Sequence, residues 1–203
     1  MIAIVDYGMG NLGSIQNMLK KIGAEAVIAS DAATISRASK LILPGVGAFD
    51  AGMDSLHRSG LLPALQDRVR SAGVPTLGIC LGMQLMTRSS SEGERHGLGW
   101  IDATTLRFAP ADASLKVPHM GWNVARPVRT DALVKALPDE ARFYFVHSYY
   151  VVCDRPDDVL LVTRHGNEFH SGFRHGNVIG VQFHPEKSHR FGMHLLRNFA
   201  ERC

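Results

Sequence analysis

A cysteine between two glycines is the first feature of the sequence that indicates chemistry. Gly78, Cys80 and Gly82 form a G-x-C-x-G pattern where an apolar run gives way to a helical one. A sharp turn between a strand and a helix holds a nucleophile in a strained conformation, and small neighbours avoid collisions there. A helix N-terminus favours a thiolate, and the N–H of Leu81 is directed at an oxyanion. A lone cysteine is more often structural, but this context favours a nucleophile.

A histidine and a glutamate offer the acid–base group that a thiolate needs. The chain has 10 histidines, so abundance selects none of them. His184 lies in VQFHPE, at the end of an apolar run, and Glu186 follows two residues later. This spacing can place both side chains on one side, where the carboxylate fixes the tautomer of the imidazole. The alternative is a surface pair at the end of a strand, and the presence of Cys80 favours the triad.

A glycine-containing turn follows a third apolar run, in the segment LILPGVGAF. The backbone N–H of Val46 or Gly47 is a candidate second donor to an oxyanion, together with that of Leu81. One such donor lowers the barrier to acyl transfer by about 3 kcal/mol. The alternative is an ordinary loop between a strand and a helix.

Apolar runs that alternate with helical spacing indicate the elements that must position these residues. Buried strands are predicted at residues 2–5, 26–29, 41–43 and 74–79, and helices at 12–22 and 61–72. This alternation predicts an α/β fold with a doubly wound, mostly parallel sheet. Ligands of such sheets bind beyond the carboxyl ends of the strands, where the nucleophile, the glycine turn and the histidine all fall.

The second half of the sequence is richer in predicted strands. They are expected at residues 100–108, 122–126, 143–152, 159–164, 169–174 and 178–183. Residues 88–97 are polar and are expected to form an exposed loop, and residues 189–202 have the spacing of a closing helix. Because no linker or repeat divides the chain, we expect a single domain over residues 1–203.

Composition excludes several classes of function. Among 203 residues, 22 are Lys or Arg and 19 are Asp or Glu, and the net charge of +3 is too small and scattered for a nucleic-acid surface. The sequence contains no apolar run of membrane-spanning length and no secretory signal. Three widely spaced cysteines do not make a disulfide framework. We therefore expect a cytoplasmic protein that binds neither nucleic acid nor membrane.

A dinucleotide site is one alternative interpretation. Gly8, Gly10 and Gly13 match G-x-G-x-x-G between a predicted strand and a helix, and Asp31 lies 18 residues further on. Asp6 argues against it, because a carboxylate before the first glycine would repel a pyrophosphate. The simpler interpretation is a tight turn at the functional edge of the sheet.

A metal-binding module is another alternative, because histidines are frequent near the C-terminus. His165, His170 and His175 recur every five residues. That period suits neither an i,i+4 pair on a helix nor an i,i+2 pair on a strand. We therefore expect no metal site and no cofactor.

Three segments in order, LPGVGAF, GICLGMQ and VQFHPEKS, resemble the class I glutamine amidotransferase family, whose triad is Cys-His-Glu. DYGMGNLGS, PHMGWN and YFVHSYY are similar to the glutaminase subunits of imidazole glycerol phosphate synthase within that family. The resemblance spans nearly the whole chain and implies a flavodoxin-like α/β fold. It further implies that glutamine is hydrolysed here and that ammonia passes to a separate (β/α)₈-barrel cyclase subunit in a heterodimer.

The resemblance also implies roles for individual residues. Cys80 is the nucleophile, His184 the acid and base, and Glu186 the carboxylate that orients it, as the spacing alone suggests. Glutamine is implied to bind against the backbone of Gly47, Leu81, Ser148 and Tyr149 and the side chain of Gln84. The implied cyclase interface comprises Gly10, Asn11, His119, Met120, Trp122, Tyr144 and Lys187. Cys153 and Cys203 match no role, and Ala103 departs from a glycine that the family often has.

Overall fold

The computed structural model describes residues 1–110 and 115–203. The helices are α1 (Leu12–Lys21), α2 (Ala32–Arg37), α3 (Phe49–Arg58), α4 (Leu62–Gln66), α5 (Leu81–Leu85) and α6 (His189–Arg202). The strands are β1 (Ile2–Val5), β2 (Ala26–Ala29), β3 (Lys40–Gly45), β4 (Thr76–Cys80), β5 (Ser89–Ser90), β6 (Ala103–Arg107), β7 (His119–Val124), β8 (Arg126–Pro127), β9 (Arg142–His147), β10 (Tyr149–Cys153), β11 (Val159–His165), β12 (Asn167–His175) and β13 (Val178–Val181). A π-helical turn over Asp67–Ser71 continues α4, and short 3₁₀ turns cover Pro156–Asp158 and Pro185–Lys187.

The main sheet has a parallel centre and an antiparallel extension. Strands β2, β1, β3, β4 and β13 lie side by side in that order, and all four of their pairings are parallel. Strands β12, β10 and β6 continue the sheet antiparallel, and β7 and β9 form a separate two-stranded sheet. The α/β class with a mostly parallel central sheet is therefore confirmed.

Both faces of the central parallel strands are covered, which explains their runs of apolar residues, whereas the edge strand β2 is partly exposed. In β1, Ala3 and Val5 belong to one core cluster, whereas Ile2 and Ile4 belong to the other. Buried side chains of α2, α3 and α4 fill the first cluster, and those of α1 and α6 fill the second. Alternate side chains of a strand point to opposite faces, so each strand of a doubly wound sheet reads as an unbroken apolar run.

The structure differs from the predicted elements in four places, one of which is the strand predicted over residues 122–126, which divides at Ala125 into β7 and β8 of different sheets. The helices α2 and α3 were not expected, because α2 is only 6 residues long and α3 carries charged residues between its buried ones. The strand predicted over residues 143–152 divides at Ser148 into β9 and β10, which belong to different sheets. The polar loop at residues 88–97 includes β5, and the Asp50 carboxylate accepts hydrogen bonds from the N–H groups of Glu94 and Arg95.

The closing helix has the bounds that the sequence predicts, because α6 runs over His189–Arg202. Its buried residues include Leu195, Leu196 and Phe199, which pack on the second core cluster. Within the described ranges, no helix is long and apolar enough to cross a membrane.

Candidate active site

The predicted catalytic residues follow three neighbouring strands of the parallel sheet. Strand β4 lies between β3 and β13, and its last residue, Cys80, pairs with Gly45 at the end of β3. The turn with Val46 and Gly47 follows β3, and His184 follows β13. The carboxyl ends of parallel strands meet at one edge of the sheet, so residues far apart in sequence lie together there.

The turn at Cys80 has the geometry of a nucleophile elbow. Its φ of 55° and ψ of −111° are strained for a residue with a side chain. A Cβ on Gly82 would overlap the carbonyl oxygen of Leu43, and one on Gly78 would lie 2.8 Å from the Met83 backbone. The flanking glycines are therefore required by close backbone packing, as the sequence pattern predicts.

His184 and Glu186 form a buried pair behind the cysteine. The His184 Nδ1 and Glu186 Oε1 atoms are 2.7 Å apart, and the two side chains are 3% and 2% exposed. The 3₁₀ turn that begins at Pro185 brings the two residues together. Burial lowers the pKa of His184, but hydrogen bonds to Cys80 and Glu186 and the charges of both outweigh it, raising the pKa to about 9. The imidazole therefore holds a proton at neutral pH.

A pocket of about 370 Å³ opens beside Cys80. The pocket brings together most of the residues that the sequence analysis singles out, namely Val46, Gly47, Cys80, Leu81, Gln84, Ser148, Tyr149, His184 and Lys187. Glu186 lies behind His184 and contacts its imidazole instead of lining the pocket. Gly47 has a φ of +105°, so only glycine adopts this turn without strain.

The amide of Gln84 is oriented by two acceptors. Its Nε2 donates to the Tyr149 carbonyl oxygen and to the Gln182 Oε1, each at 3.1 Å. Both hydrogens of the amide nitrogen are thereby used. The Gln84 Oε1 accepts no hydrogen bond from the described residues.

Three residues of the site were missed by the sequence analysis. Glu92 lines the pocket, and its Oε2 accepts a hydrogen bond of 2.9 Å from the N–H of Phe49, although its segment was expected to be an exposed loop. His147 lines the pocket from the end of β9. The Nε2 of Gln182 lies 3.8 Å from the Cys80 sulfur. Gln182 and His147 had a signal in the sequence, because they lie in the quoted segments VQFHPE and YFVHSYY, whereas Glu92 had none.

The glycine loop before α1 packs against the turn that follows β3. A Cβ on Gly10 would lie 3.1 Å from the Pro44 side chain and 3.4 Å from the Gly45 nitrogen. Tyr7, also in this loop, donates a hydrogen bond of 2.7 Å to the Pro44 carbonyl oxygen. Gly10 therefore serves a close contact at the sheet edge, whereas Gly13 lies in α1 with open space around its Cβ position, and Asp31 caps α2.

An exposed patch lies next to the pocket and contains four of the residues implied as an interface, Met120, Trp122, Tyr144 and Lys187; we call it the aromatic patch. Met120 is 62% exposed and Trp122 is 46% exposed. The Lys187 ammonium lies 5.7 Å from the Tyr144 ring centre. Large exposed apolar side chains beside a charged residue are typical of a protein interface.

The other implied interface residues are placed differently. Asn11 is exposed and Gly10 is half-buried in the glycine loop. The side chain of His119 is buried instead of exposed, because it alternates along β7 with Met120 and Trp122 and so faces inwards.

Cys153 and Cys203 lie away from the pocket. Burial raises the pKa of the Cys153 thiol to about 12, and the charges of Asp158 and Asp154 act in the same direction. Burial also raises the pKa of Cys203. Neither thiol is suited to act as a nucleophile near neutral pH, because the thiolate is the reactive form.

The histidines of the metal-binding alternative have separate partners. His165 stacks on His119, His170 accepts a hydrogen bond from the N–H of Cys153, and His175 pairs with Asp158. Over the part of the chain that the structure describes, no group of three or more His, Cys, Asp or Glu residues is arranged to hold a metal ion.

Comparison with known proteins agrees with this site. The sequence pattern of the glutamine amidotransferase class-I family matches residues 3–203. A solved glutamine amidotransferase structure superposes with a TM-score of 0.73 at 21% identity, covering 99% of this chain and 98% of that one. PurLQS from Thermotoga maritima superposes with a TM-score of 0.70 at 18% identity, covering 98% and 96%. The chain belongs to the class I glutamine amidotransferase family.

Curated relatives define its place in that family. The chain is 52% identical to imidazole glycerol phosphate synthase subunit HisH 2 of Methanococcus maripaludis, over 100% of both chains. It is 49% identical to the subunit of the same name from Pseudomonas aeruginosa, over 99% of both chains. Identity of this extent over the full length places the chain in the HisH group of the family.

Proposed function

We propose that this chain is the glutaminase subunit of imidazole glycerol phosphate synthase. The observation that carries the proposal is the meeting of Cys80, His184 and Glu186 at the ends of adjacent parallel strands, inside a pocket of a size suited to an amino acid. Membership of the HisH group supports the particular synthase. Because its three cysteines are free, as is usual in a reducing compartment, we place the reaction in the cytoplasm.

The reaction begins with attack of the Cys80 thiolate on the carboxamide carbon of glutamine. The carbonyl oxygen becomes an oxyanion, which the N–H of Leu81 and an N–H of the Val46–Gly47 turn stabilise. When this intermediate collapses, the carbon–nitrogen bond breaks and the nitrogen takes the proton of the His184 imidazolium. The products of the first half are ammonia and a glutamyl thioester on Cys80.

The second half hydrolyses the thioester. Having given up its proton, His184 is now a base and takes a proton from water as the water oxygen attacks the thioester carbon. The carbon–sulfur bond breaks, the Cys80 thiolate leaves and glutamate is released. Glu186 stays ionised throughout and holds the imidazole in the tautomer that faces the sulfur.

Glutamine carries an ammonium and a carboxylate, which need polar partners in the pocket. The free Oε1 of Gln84 and the carboxylate of Glu92 are acceptors suited to the ammonium. Backbone groups of Gly47, Ser148 and Tyr149 line the pocket near them. We therefore assign the α-amino end of glutamine to the side of the pocket that holds Gln84 and Glu92.

Ammonia must be used on another chain, because the curated relatives that this chain matches end to end are named as subunits. We propose a separate (β/α)₈-barrel cyclase that docks on the aromatic patch and on the glycine loop around Asn11. There the ammonia reacts with phosphoribulosyl-formimino aminoimidazole carboxamide ribotide. The products are imidazole glycerol phosphate and aminoimidazole carboxamide ribotide.

The test measures glutamate release by the wild-type chain with and without the cyclase subunit and its ribotide ligand. We expect activity that depends on the cyclase, and loss of at least about 10³-fold in Cys80→Ala. His57→Asn, a change on the exposed face of α3, serves as the control. Normal glutamate release by Cys80→Ala would refute the mechanism, and full activity of the isolated chain would refute its dependence on the partner.

A further inference from the structure

Two buried histidines join the pocket to the strand that carries the aromatic patch. His119 in β7 and His147 in β9 are directly opposite each other and are 5% and 6% exposed. The His119 Nδ1 and His147 Nε2 atoms are 3.0 Å apart. Beyond them, Asn123 contacts the His119 Nε2 at 3.1 Å, and the His147 Nδ1 contacts the Tyr149 carbonyl oxygen at 2.7 Å. The four groups form one continuous hydrogen-bonded chain.

The Asn123 end of the chain fixes the protonation of His119. The Asn123 Oδ1 accepts from the N–H of Val124 at 2.8 Å, and its Nδ2 donates to the Arg164 carbonyl oxygen at 2.9 Å. The second hydrogen of Nδ2 therefore points to the His119 Nε2, which must be unprotonated to accept it. The proton of neutral His119 is then on Nδ1, facing His147.

The Tyr149 end of the chain requires the same arrangement independently. A carbonyl oxygen only accepts, so the His147 Nδ1 must carry a proton. A neutral His147 then has a bare Nε2, which accepts from the Nδ1–H of His119. Both ends thus lead to one assignment, in which His119 and His147 are neutral and each is protonated on Nδ1.

The hydrogen-bonded chain of the four groups ends at the Tyr149 carbonyl oxygen, which also orients a residue of the proposed glutamine pocket. The Tyr149 carbonyl oxygen accepts from His147 and also from the Nε2 of Gln84, and the latter bond leaves the Gln84 Oε1 for the ligand. A displaced Tyr149 carbonyl would leave the Gln84 amide held by Gln182 alone. The orientation of a pocket residue therefore depends on hydrogen bonds that begin at Asn123 in β7.

We propose that His119 and His147 are positioning residues for glutamine, acting as a neutral imidazole relay from β7 to the Tyr149 carbonyl and Gln84. The proposal rests on the proposed function, because it takes glutamine as the ligand of the pocket. Strand β7 also carries Met120 and Trp122 of the aromatic patch. The relay therefore connects the strand that bears the patch to the glutamine pocket through hydrogen bonds.

The surroundings of the relay keep it uncharged. Burial and the neighbouring imidazoles, including that of His184, lower the pKa of His147 to about 3. The hydrogen bond to the Tyr149 carbonyl oxygen acts in the opposite direction but is outweighed. Burial and the nearby His165 lower the pKa of His119 to about 4. The rings of Phe108, Phe145 and Phe169 enclose the pair.

Two substitutions at His147 separate positioning from packing. In His147→Asn the amide nitrogen replaces Nδ1 and keeps the donor to Tyr149, whereas in His147→Gln the amide replaces Nε2 and that donor is lost. For the complex with the cyclase subunit, we expect His147→Asn to keep the KM for glutamine within about 3-fold and His147→Gln to raise it about 5- to 10-fold, the range of one hydrogen bond. In both variants, we expect kcat for glutamine hydrolysis to change less than KM.

The same pair at His119 is a second test, and it applies even if His147→Gln does not fold. His119→Asn keeps the donor to His147, and His119→Gln loses it, so we again expect KM to rise only in the Gln variant. Iodoacetamide labelling of Cys80, which needs no glutamine pocket, is expected to keep its rate in all four variants. Equal KM values in the Asn and Gln variants at either position would overturn the proposal.

Nitrogen-15 spectra of the histidine rings test the relay without any activity measurement. We expect the signals of His119 and His147, assigned from the variants, to show neutral rings protonated on Nδ1 from pH 6 to 8. An Nε2-protonated or charged ring at either position would overturn the relay. Wild-type protein that shows these tautomers and no glutaminase activity with the cyclase would instead refute the proposed function, so the two failures are distinguishable.

Discussion

His184 is held in its protonated form by its two neighbours, Cys80 and Glu186. The hydrogen bonds and charges of Cys80 and Glu186 outweigh burial and raise the pKa of His184 to about 9. At pH 7 the imidazole therefore already holds the proton that departing ammonia needs. Once it has lost that proton it becomes the base for water, so one residue serves both halves of the reaction.

The contribution of Glu186 is tested by Glu186→Gln. This change removes the carboxylate charge but keeps the shape of the side chain, so the imidazolium of His184 is less stable. We expect kcat for glutamine hydrolysis to fall about 10²-fold, the size of an acid–base contribution, with little change in KM. Glu201→Gln, at an exposed position of α6, is the control and should leave kcat unchanged. An unchanged kcat in Glu186→Gln would contradict the triad.

The raised pKa of His184 also predicts how stability depends on pH. Its folded-state pKa of about 9 lies above the ordinary value of 6.5, so the folded protein binds this proton more tightly than the unfolded chain does. This contribution is complete below about pH 6.5 and is lost as the pH rises towards about 9. Urea unfolding from pH 6 to 9 should show a smaller decline in the free energy of unfolding for Glu186→Gln than for wild type. Equal declines in the free energy of unfolding of the two proteins would contradict the raised pKa of His184.

The elements at the sheet edge pack backbone against backbone. The first turn of α5 lies against the end of β3, so that a Cβ on Gly82 would overlap the Leu43 carbonyl oxygen. The glycine loop contacts the turn after β3, and Tyr7 donates to the Pro44 carbonyl oxygen there. This packing holds the elbow and the turn with Val46 and Gly47 in fixed relative positions, which an oxyanion site requires.

Two alanine substitutions test this close packing. Gly82→Ala should destabilise the protein by about 3 kcal/mol or more, because backbone atoms cannot move aside as a flexible side chain can. Gly13→Ala should be neutral or stabilising by up to about 1 kcal/mol, because Gly13 lies on exposed α1 with open space around its Cβ position. Thermal or urea unfolding measures both. Equal stability of the two variants would contradict the packing argument.

Over the whole molecule, the candidate catalytic pocket and the proposed docking patch lie next to each other. The pocket and the aromatic patch are joined at Lys187, which lines the first and packs on Tyr144 in the second. The Tyr144 carbonyl oxygen also accepts a hydrogen bond of 2.9 Å from the N–H of His184. A subunit bound to the patch would therefore contact Tyr144, a residue that is joined directly to His184 by a backbone hydrogen bond.

The docking role of the patch is tested by Trp122→Ala. Large aromatic side chains at the centre of an interface contribute most to binding, so the Kd for the cyclase subunit should rise at least about 30-fold. The fold should be unaffected, because Trp122 belongs to neither core cluster. Ile28→Ala, which changes an exposed apolar residue on β2, an edge strand of the main sheet that carries no residue of the patch, is the control. Titration calorimetry measures both, and equal Kd values would contradict the assignment of the patch.

Local sequence was sufficient for the strands of the parallel sheet, the closing helix and the elbow. An apolar run bounded by glycine and proline predicts a buried strand without information from elsewhere in the chain. The elbow is predictable in the same way, because only small residues fit beside a strained nucleophile. The break at Ser148 was not predictable in this way, because apolar residues continue through it and only pairing with β6 and β7 separates the two strands.

The sequence by itself predicted Cys80 as the nucleophile and His184 and Glu186 as its partners, because these residues have a characteristic short-range spacing at the ends of predicted strands. The tertiary structure decided how the pocket is lined. Glu92, His147 and the orientation of Gln84 depend on contacts such as that between Gln84 and Gln182, which are 98 residues apart. Hydrogen bonds of that kind depend on which strands become neighbours, and no local pattern of residues specifies that.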